Sequence, residues 1–167
     1  MALVIEDGSI VANANSYATL AAVRTYALTR GVTLSADDAV LEPQVLRAMD
    51  YIEHREDQYV GTIVVGTQAL AWPRLNAYWR RIELGDDEIP APLLYGLYEL
   101  TMAVHAGVNL LPTTTASDYV IRKKVGPMEV EYSDPLSVGI EAMLTAAEGW
   151  LSQLYSNSGA GFVTVRA

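Results

Sequence analysis

Leu70-Ala71-Trp72-Pro73-Arg74 is the stretch on which the reading of this chain turns. Pro73 fixes its own φ, has no N–H to give a helix and pushes Trp72 toward an extended conformation. No helix is expected to run through it. Trp72 brings a large apolar face and one N–H that needs a partner; Arg74 brings a planar fork suited to a carboxylate or phosphate. Helical patterns lie on both sides, so the stretch reads as a rigid extended crossing between helices, anchored by an aromatic ring. The plainer alternative, that Trp72 plugs the core and Arg74 makes a surface pair, stays open beside it.

Upstream of the crossing, Ser16 is a good N-cap and Gly31 a good C′ residue, which predicts a first helix between them. Its stripe would be Tyr17, Leu20, Ala21, Ala27 and Leu28,. Before it, Ser9 to Ala12 could pair as an edge strand. Ser35-Ala36-Asp37-Asp38 resembles a capping box and could open a short turn of helix. Pro43 suits the first position of a longer helix to about Glu56, with Val45, Leu46, Met49 and Ile52 inward,. The crossing itself belongs to a segment over residues 59–90, punctuated by Gly61, Gly66, Pro73 and Gly85, long and irregular enough to suggest function,.

Downstream, Pro90 and Pro92 open an apolar helix to about Ala106, whose buried set is Leu93, Leu94, Leu97, Leu100, Thr101 and Val104,. This helix is expected at the centre. Val120 to Tyr132 reads as a β-hairpin turning at Gly126-Pro127. In that register Lys124 faces Glu129 and Arg122 faces Glu131, two opposite-charge pairs on one face,. Pro135 opens a last helix to about Ser156. A Gly/Ser linker follows, and then the β-prone end Phe162-Val163-Thr164-Val165-Arg166,. The fold class expected is mainly α: a four-helix core with a β-hairpin, a long irregular segment and a flexible C-terminal tail. Residues 1–156 would form one domain and residues 157–167 a linker and docking tail.

The totals bound the function. A chain of 167 residues is long enough for one domain that buries roughly 70% of its unfolded surface. Eleven basic against twenty acidic residues give a formal net charge of −9. A protein that grips phosphates normally shows a basic face, so the charge argues against nucleic-acid binding. The start of the chain, with Glu6 and Asp7 and no basic residue before Ile10, does not read as a secretory signal,. With no cysteine there is neither disulfide nor thiolate chemistry,. No metal-ligand cluster, P-loop, dinucleotide fingerprint or nucleophile elbow is visible, so neither a cofactor nor catalysis is expected.

Several features in order resemble the head–tail connector (adaptor) proteins of tailed bacteriophages. They are Asn15-Ser16-Tyr17, Ala48-Met49-Asp50-Tyr51-Ile52, Gln68 with Leu70 to Arg74, Ile89-Pro90, and Lys124-Val125-Gly126-Pro127-Met128-Glu129-Val130-Glu131-Tyr132. The resemblance implies a structural virion protein of the neck, made in the host bacterial cytoplasm. It would form a ring of twelve copies that attaches to the portal and meets a downstream neck or tail-terminator protein. DNA would pass through the channel without specific binding, and no membrane is involved. The residues expected at neighbouring subunits are then Trp72, Arg74, Tyr78, Arg80, Arg81, Arg122, Lys124, Glu129 and Glu131. Those expected to dock on the portal are Phe162, Val163, Thr164, Val165 and Arg166. Related phage sequences also carry the label of a primosomal, single-stranded-DNA-binding-like protein, which makes a DNA-binding module of a phage replication system the alternative.

Overall fold

Thr19, three residues beyond the expected cap, starts the first helix: its hydroxyl accepts the Ala22 N–H at 3.2 Å. Helix α1 accordingly covers Leu20–Thr29. Ser16 is occupied elsewhere, its hydroxyl donating to the Ala18 carbonyl at 2.9 Å; such a local bond competes with helix capping. The computed structural model describes residues 2–111, 122–125, 128–131 and 144–156. In α1 the buried residues are Val23, Tyr26 and Ala27, while Leu28 is 67% exposed. The helix is held by Tyr26 rather than by Leu28.

Asp37 caps the second helix by accepting the Ala39 N–H at 2.9 Å, so α2 runs Asp38–Glu53 and takes Pro43 inside it. The missing Pro43 N–H falls early in the helix, beside the exposed Ala39, where water can serve the carbonyl left over. Helix α3, Ala91–His105, follows Pro90 as its N-cap, with Pro92 in the first turn, where the missing N–H has no intrahelical partner to lose. It packs against α1, α2 and the 3₁₀ turn Ser152–Leu154, as its apolar sequence predicts. A fourth helix, α4, is described over residues 144–151. It lies so close to α3 that a Cβ on Gly96 would come within 2.6 Å of a Leu151 methyl. Leu41, Val45 and Ile52 meet Leu93, Leu97 and Leu100 in the fully buried core.

The residues between α2 and α3 pair in two short antiparallel ribbons. Strand β1 (Thr62–Ile63) joins β2 (Arg74–Leu75), and β3 (Tyr78–Trp79) joins β4 (Ile82–Glu83). A third ribbon pairs β5 (Arg122–Val125) with β6 (Met128–Glu131) in the register Arg122↔Glu131 and Lys124↔Glu129 expected from the charge pattern. The mainly α fold with a four-helix core is therefore corrected. Among the described residues the chain is a small mixed fold of helices and three two-stranded ribbons. Residues 59–90 look irregular in sequence because each strand is only two residues long, too short for an alternating pattern to show. The start of the chain forms no edge strand either. Ile10 and Asn13 sit at positive φ, and the buried Glu6 carboxylate gathers the N–H groups of Gly8, Ile10 and Val11 at 2.8–3.0 Å.

Candidate functional site

The crossing and the hairpin just after it use the same residue types in opposite ways. In the crossing nearly every polar group is spent inside the chain; the exception is the buried Trp72 indole N–H, which has no partner among the described residues. Trp72 is fully buried, its peptide bond to Pro73 is cis, and Tyr59 meets its ring edge-on at 5.8 Å. The Trp72 backbone N–H donates to the Tyr17 hydroxyl at 3.1 Å. That hydroxyl donates to Glu53 Oε1 at 2.7 Å, and the Ala71 N–H donates to Glu53 Oε2 at 2.7 Å. Burial is the main reason the Glu53 carboxyl is held above its ordinary range, and the bonds from Tyr17 and Ala71 pull it part of the way back. Burial and the neighbouring Glu53 charge together raise the Tyr17 hydroxyl well above its usual value.

Arg74 completes the strut. Its guanidinium donates to three carbonyls of its own chain: Val60 at 3.0 Å, Ala71 at 3.2 Å and Gly61 at 3.0 Å. Trp72 and Arg74, expected at a subunit interface, are therefore both corrected to internal positions; Arg74 is only 6% exposed. The reason is geometric. The crossing passes under the end of α2, where three carbonyls converge on one rigid fork. Burial lowers the Arg74 pKa, and the Glu56 charge nearby opposes that.

The β3–β4 hairpin does the reverse. Arg80 and Arg81 form its tip at φ 53° and 66°, the left-handed pair that a type I′ turn requires. Arginine pays about 1–2 kcal/mol per residue to sit there, where Asn-Gly would sit easily. Tyr78 is 47% exposed and Ile82 69%. Trp79, opposite Ile82, is half-buried, with the Arg80 guanidinium 4.4 Å above its ring. The fate of the other arginines separates these two from the rest. Arg24 meets Asp38 at 2.6 Å, Arg30 meets Glu99 at 3.3 Å and Arg55 meets Glu148 at 2.8 Å. Among the described side chains only Arg47, Arg80 and Arg81 lack both a carboxylate and a set of carbonyls. Two of those three are adjacent, beside two aromatic rings.

Unpaired guanidinium forks next to partly exposed rings can clamp a phosphate while a flat π-system stacks on the aromatic. Tyr78, Arg80 and Arg81, expected from the sequence at a subunit interface, are exposed in the chain. Trp79 and Ile82 were missed, although the run Tyr78-Trp79-Arg80-Arg81-Ile82 carries the signal. Arg122, Lys124, Glu129 and Glu131 lie in the β5–β6 ribbon, and Phe162, Val163, Thr164, Val165 and Arg166 lie outside the described residues. Among the described residues no cluster of His, Cys, Asp and Glu could hold a metal ion, and no helix is long and apolar enough to cross a membrane.

A family model described as "Putative DnaT-like ssDNA binding protein" matches residues 1–167. No curated protein and no solved structure matches the chain. The family match overturns the resemblance to head–tail connectors. With it go the structural virion role, the twelve-copy ring, the portal and the downstream neck or tail-terminator protein as partners, and DNA that passes without binding. It agrees instead with the alternative, a single-stranded-DNA-binding module. A net charge of −9 does not exclude such a module, because a sum over the whole surface says nothing of a two-residue basic tip.

Proposed function

Because the chain belongs to the DnaT-like single-stranded-DNA-binding protein family, we propose that it binds single-stranded DNA through the β3–β4 hairpin. The observation that carries this reading is the tip itself: Arg80 and Arg81 are adjacent, exposed and without a carboxylate among the described residues, beside Tyr78 and Trp79. A net charge of −9 leaves no broad basic face, so binding rests on a few phosphate contacts and on stacking. Each stacked base contributes about 1–3 kcal/mol by the usual truncation measure. Duplex DNA packs more charge per length and keeps its bases covered, so the acidic surface discriminates against it.

Fluorescence anisotropy of a labelled oligothymidylate across a salt series tests the reading. Two arginine–phosphate contacts predict a log–log salt slope of about −1.4, from a slope of ~0.7 per neutralised phosphate on single strands. Replacing both arginines (Arg80→Ala with Arg81→Ala) flattens the slope, and Trp79→Leu weakens binding at every salt concentration. A wild-type protein that fails to retain the oligonucleotide at low salt, or a double variant that binds like wild type, overturns it.

A further inference from the structure

The hairpin is moored to the 3₁₀ turn that follows α4, near the start of a row of aromatic rings. Trp79 Nε1–H donates to Gln153 Oε1 at 3.0 Å, and Gln153 donates to the Gly149 carbonyl at 3.0 Å, which sets the hairpin beside Trp150 of α4. From Trp150 the row continues onto α3: its ring lies 4.8 Å from Tyr95, and Tyr95 lies 6.5 Å from Tyr98. All three are half-buried. Tyr26 of α1, itself buried, supports the row from beneath, stacked at 5.7 Å on Tyr95 and 4.6 Å from Tyr98. The hydroxyls of Tyr95 and Tyr98 and the indole N–H of Trp150 bond to none of the described residues. Beyond Tyr98 the same side of α3 borders a cavity of about 390 Å³, lined by Met102 and His105 with Arg30 and Val32 of the α1 side and Ala146 of α4.

We propose that this aromatic face of α3 is the track along which the bases of a single strand continue from the hairpin to the cavity at Met102. The inference rests on the hairpin reading above and extends it from a point of contact to a path. Half-buried rings suit unpaired bases, since every base has a π-face and none needs a specific hydrogen bond,. The path also has a cation at each end. Arg80 stands over Trp79, and Arg30 stands 3.3 Å from the centroid of the Tyr26 ring. Arg30 pairs with Glu99 at 3.3 Å with 40% of its own side chain exposed, a contact of modest worth on the solvent side,. The cavity is mostly apolar, with the Arg30–Glu99 ion pair at its rim; its volume falls at the small end of ligand pockets (~300–1,000 Å³) and suits one base with its sugar.

The test compares oligothymidylates of about 4 and about 16 nucleotides, the span of site sizes such proteins show. Wild-type protein is expected to bind the longer at least tenfold more tightly. Combining Trp150→Leu with Tyr98→Leu, which keeps apolar volume under the row, should remove that gain and leave the short oligonucleotide unaffected. Arg80→Ala should weaken both. If the leucine variant binds the long strand like wild type, the path is wrong and the hairpin stands. If wild type retains neither strand, the hairpin reading falls and takes the path with it. Photocrosslinking of wild type to a 5-iodouracil oligonucleotide avoids any question of folding. Crosslinks within residues 95–102 are expected, and crosslinks confined to residues 78–83 overturn the track.

Discussion

Trp72-Pro73-Arg74 and Tyr78-Trp79-Arg80-Arg81 stand four residues apart and are built from the same materials, aromatic rings and arginine forks. One is closed and the other open. Arg74 satisfies its guanidinium on three carbonyls, and Trp72 is fully buried. Arg80 and Arg81 meet no anion among the described residues, and Tyr78 is nearly half exposed. Residue type therefore does not assign a role; the inventory of partners does. A buried guanidinium that has found its acceptors holds the fold together, whereas an exposed one without an anion is free to take a ligand.

Substitutions should split along the same line. The largest effect is expected from Trp72→Ala, which empties a fully buried aromatic site and should destabilise the protein by about 3–5 kcal/mol in urea melts. A loss below ~1 kcal/mol would mean that the crossing is not part of the core. Arg74→Ala follows at about 2–4 kcal/mol, because three carbonyls lose a charged donor in a place water reaches poorly. Arg74→Lys should recover less than half of that, since one ammonium cannot span a fork of acceptors. An Arg74→Ala protein as stable as wild type would erase the contrast between the two stretches.

At the hairpin the sign should change. Replacing the tip with Asn-Gly (Arg80→Asn, Arg81→Gly) relieves the left-handed strain and should stabilise the fold by about 0.5–1 kcal/mol while abolishing retention of single-stranded DNA. A protein destabilised by that exchange would place the arginines among the structural residues. The finest test is a slope rather than a step. Burial raises the Glu53 pKa in the folded state above its ordinary value of 4.5. The stability it lends is therefore full below that value and lost as pH rises through the folded pKa. The melting temperature of wild type relative to Glu53→Gln should climb as pH falls from 7 toward 5. A difference that shrinks instead would show that Tyr17 and Ala71 favour the anion more than burial opposes it.

Much of this chain was legible in its residues. The α3 stripe of Leu93, Leu97 and Leu100 recurs at helical steps, and the order of charges along residues 122–131 predicts the register that the β5–β6 ribbon takes. The helix break and the aromatic anchor at the crossing follow from Trp72-Pro73, whereas the expected extended course is replaced by bends at Leu70, Ala71 and Pro73 and a cis Trp72–Pro73 bond. The legible features depend on neighbours within a few positions, where periodicity and turn chemistry act directly. Tertiary structure alone decided the rest. Tyr17 meets Glu53 across 36 positions and the Trp72 N–H across 55; Arg74 finds Val60 and Gly61 only because α2 ends above them. Trp79 reaches Gln153 across 74 positions, bringing the hairpin beside the rings of α3 and α4. A side chain's character is written in its own position, but its partners are set by which segments the packed core brings together. An arginine that holds the fold and one left free for a ligand therefore read alike until the chain has closed.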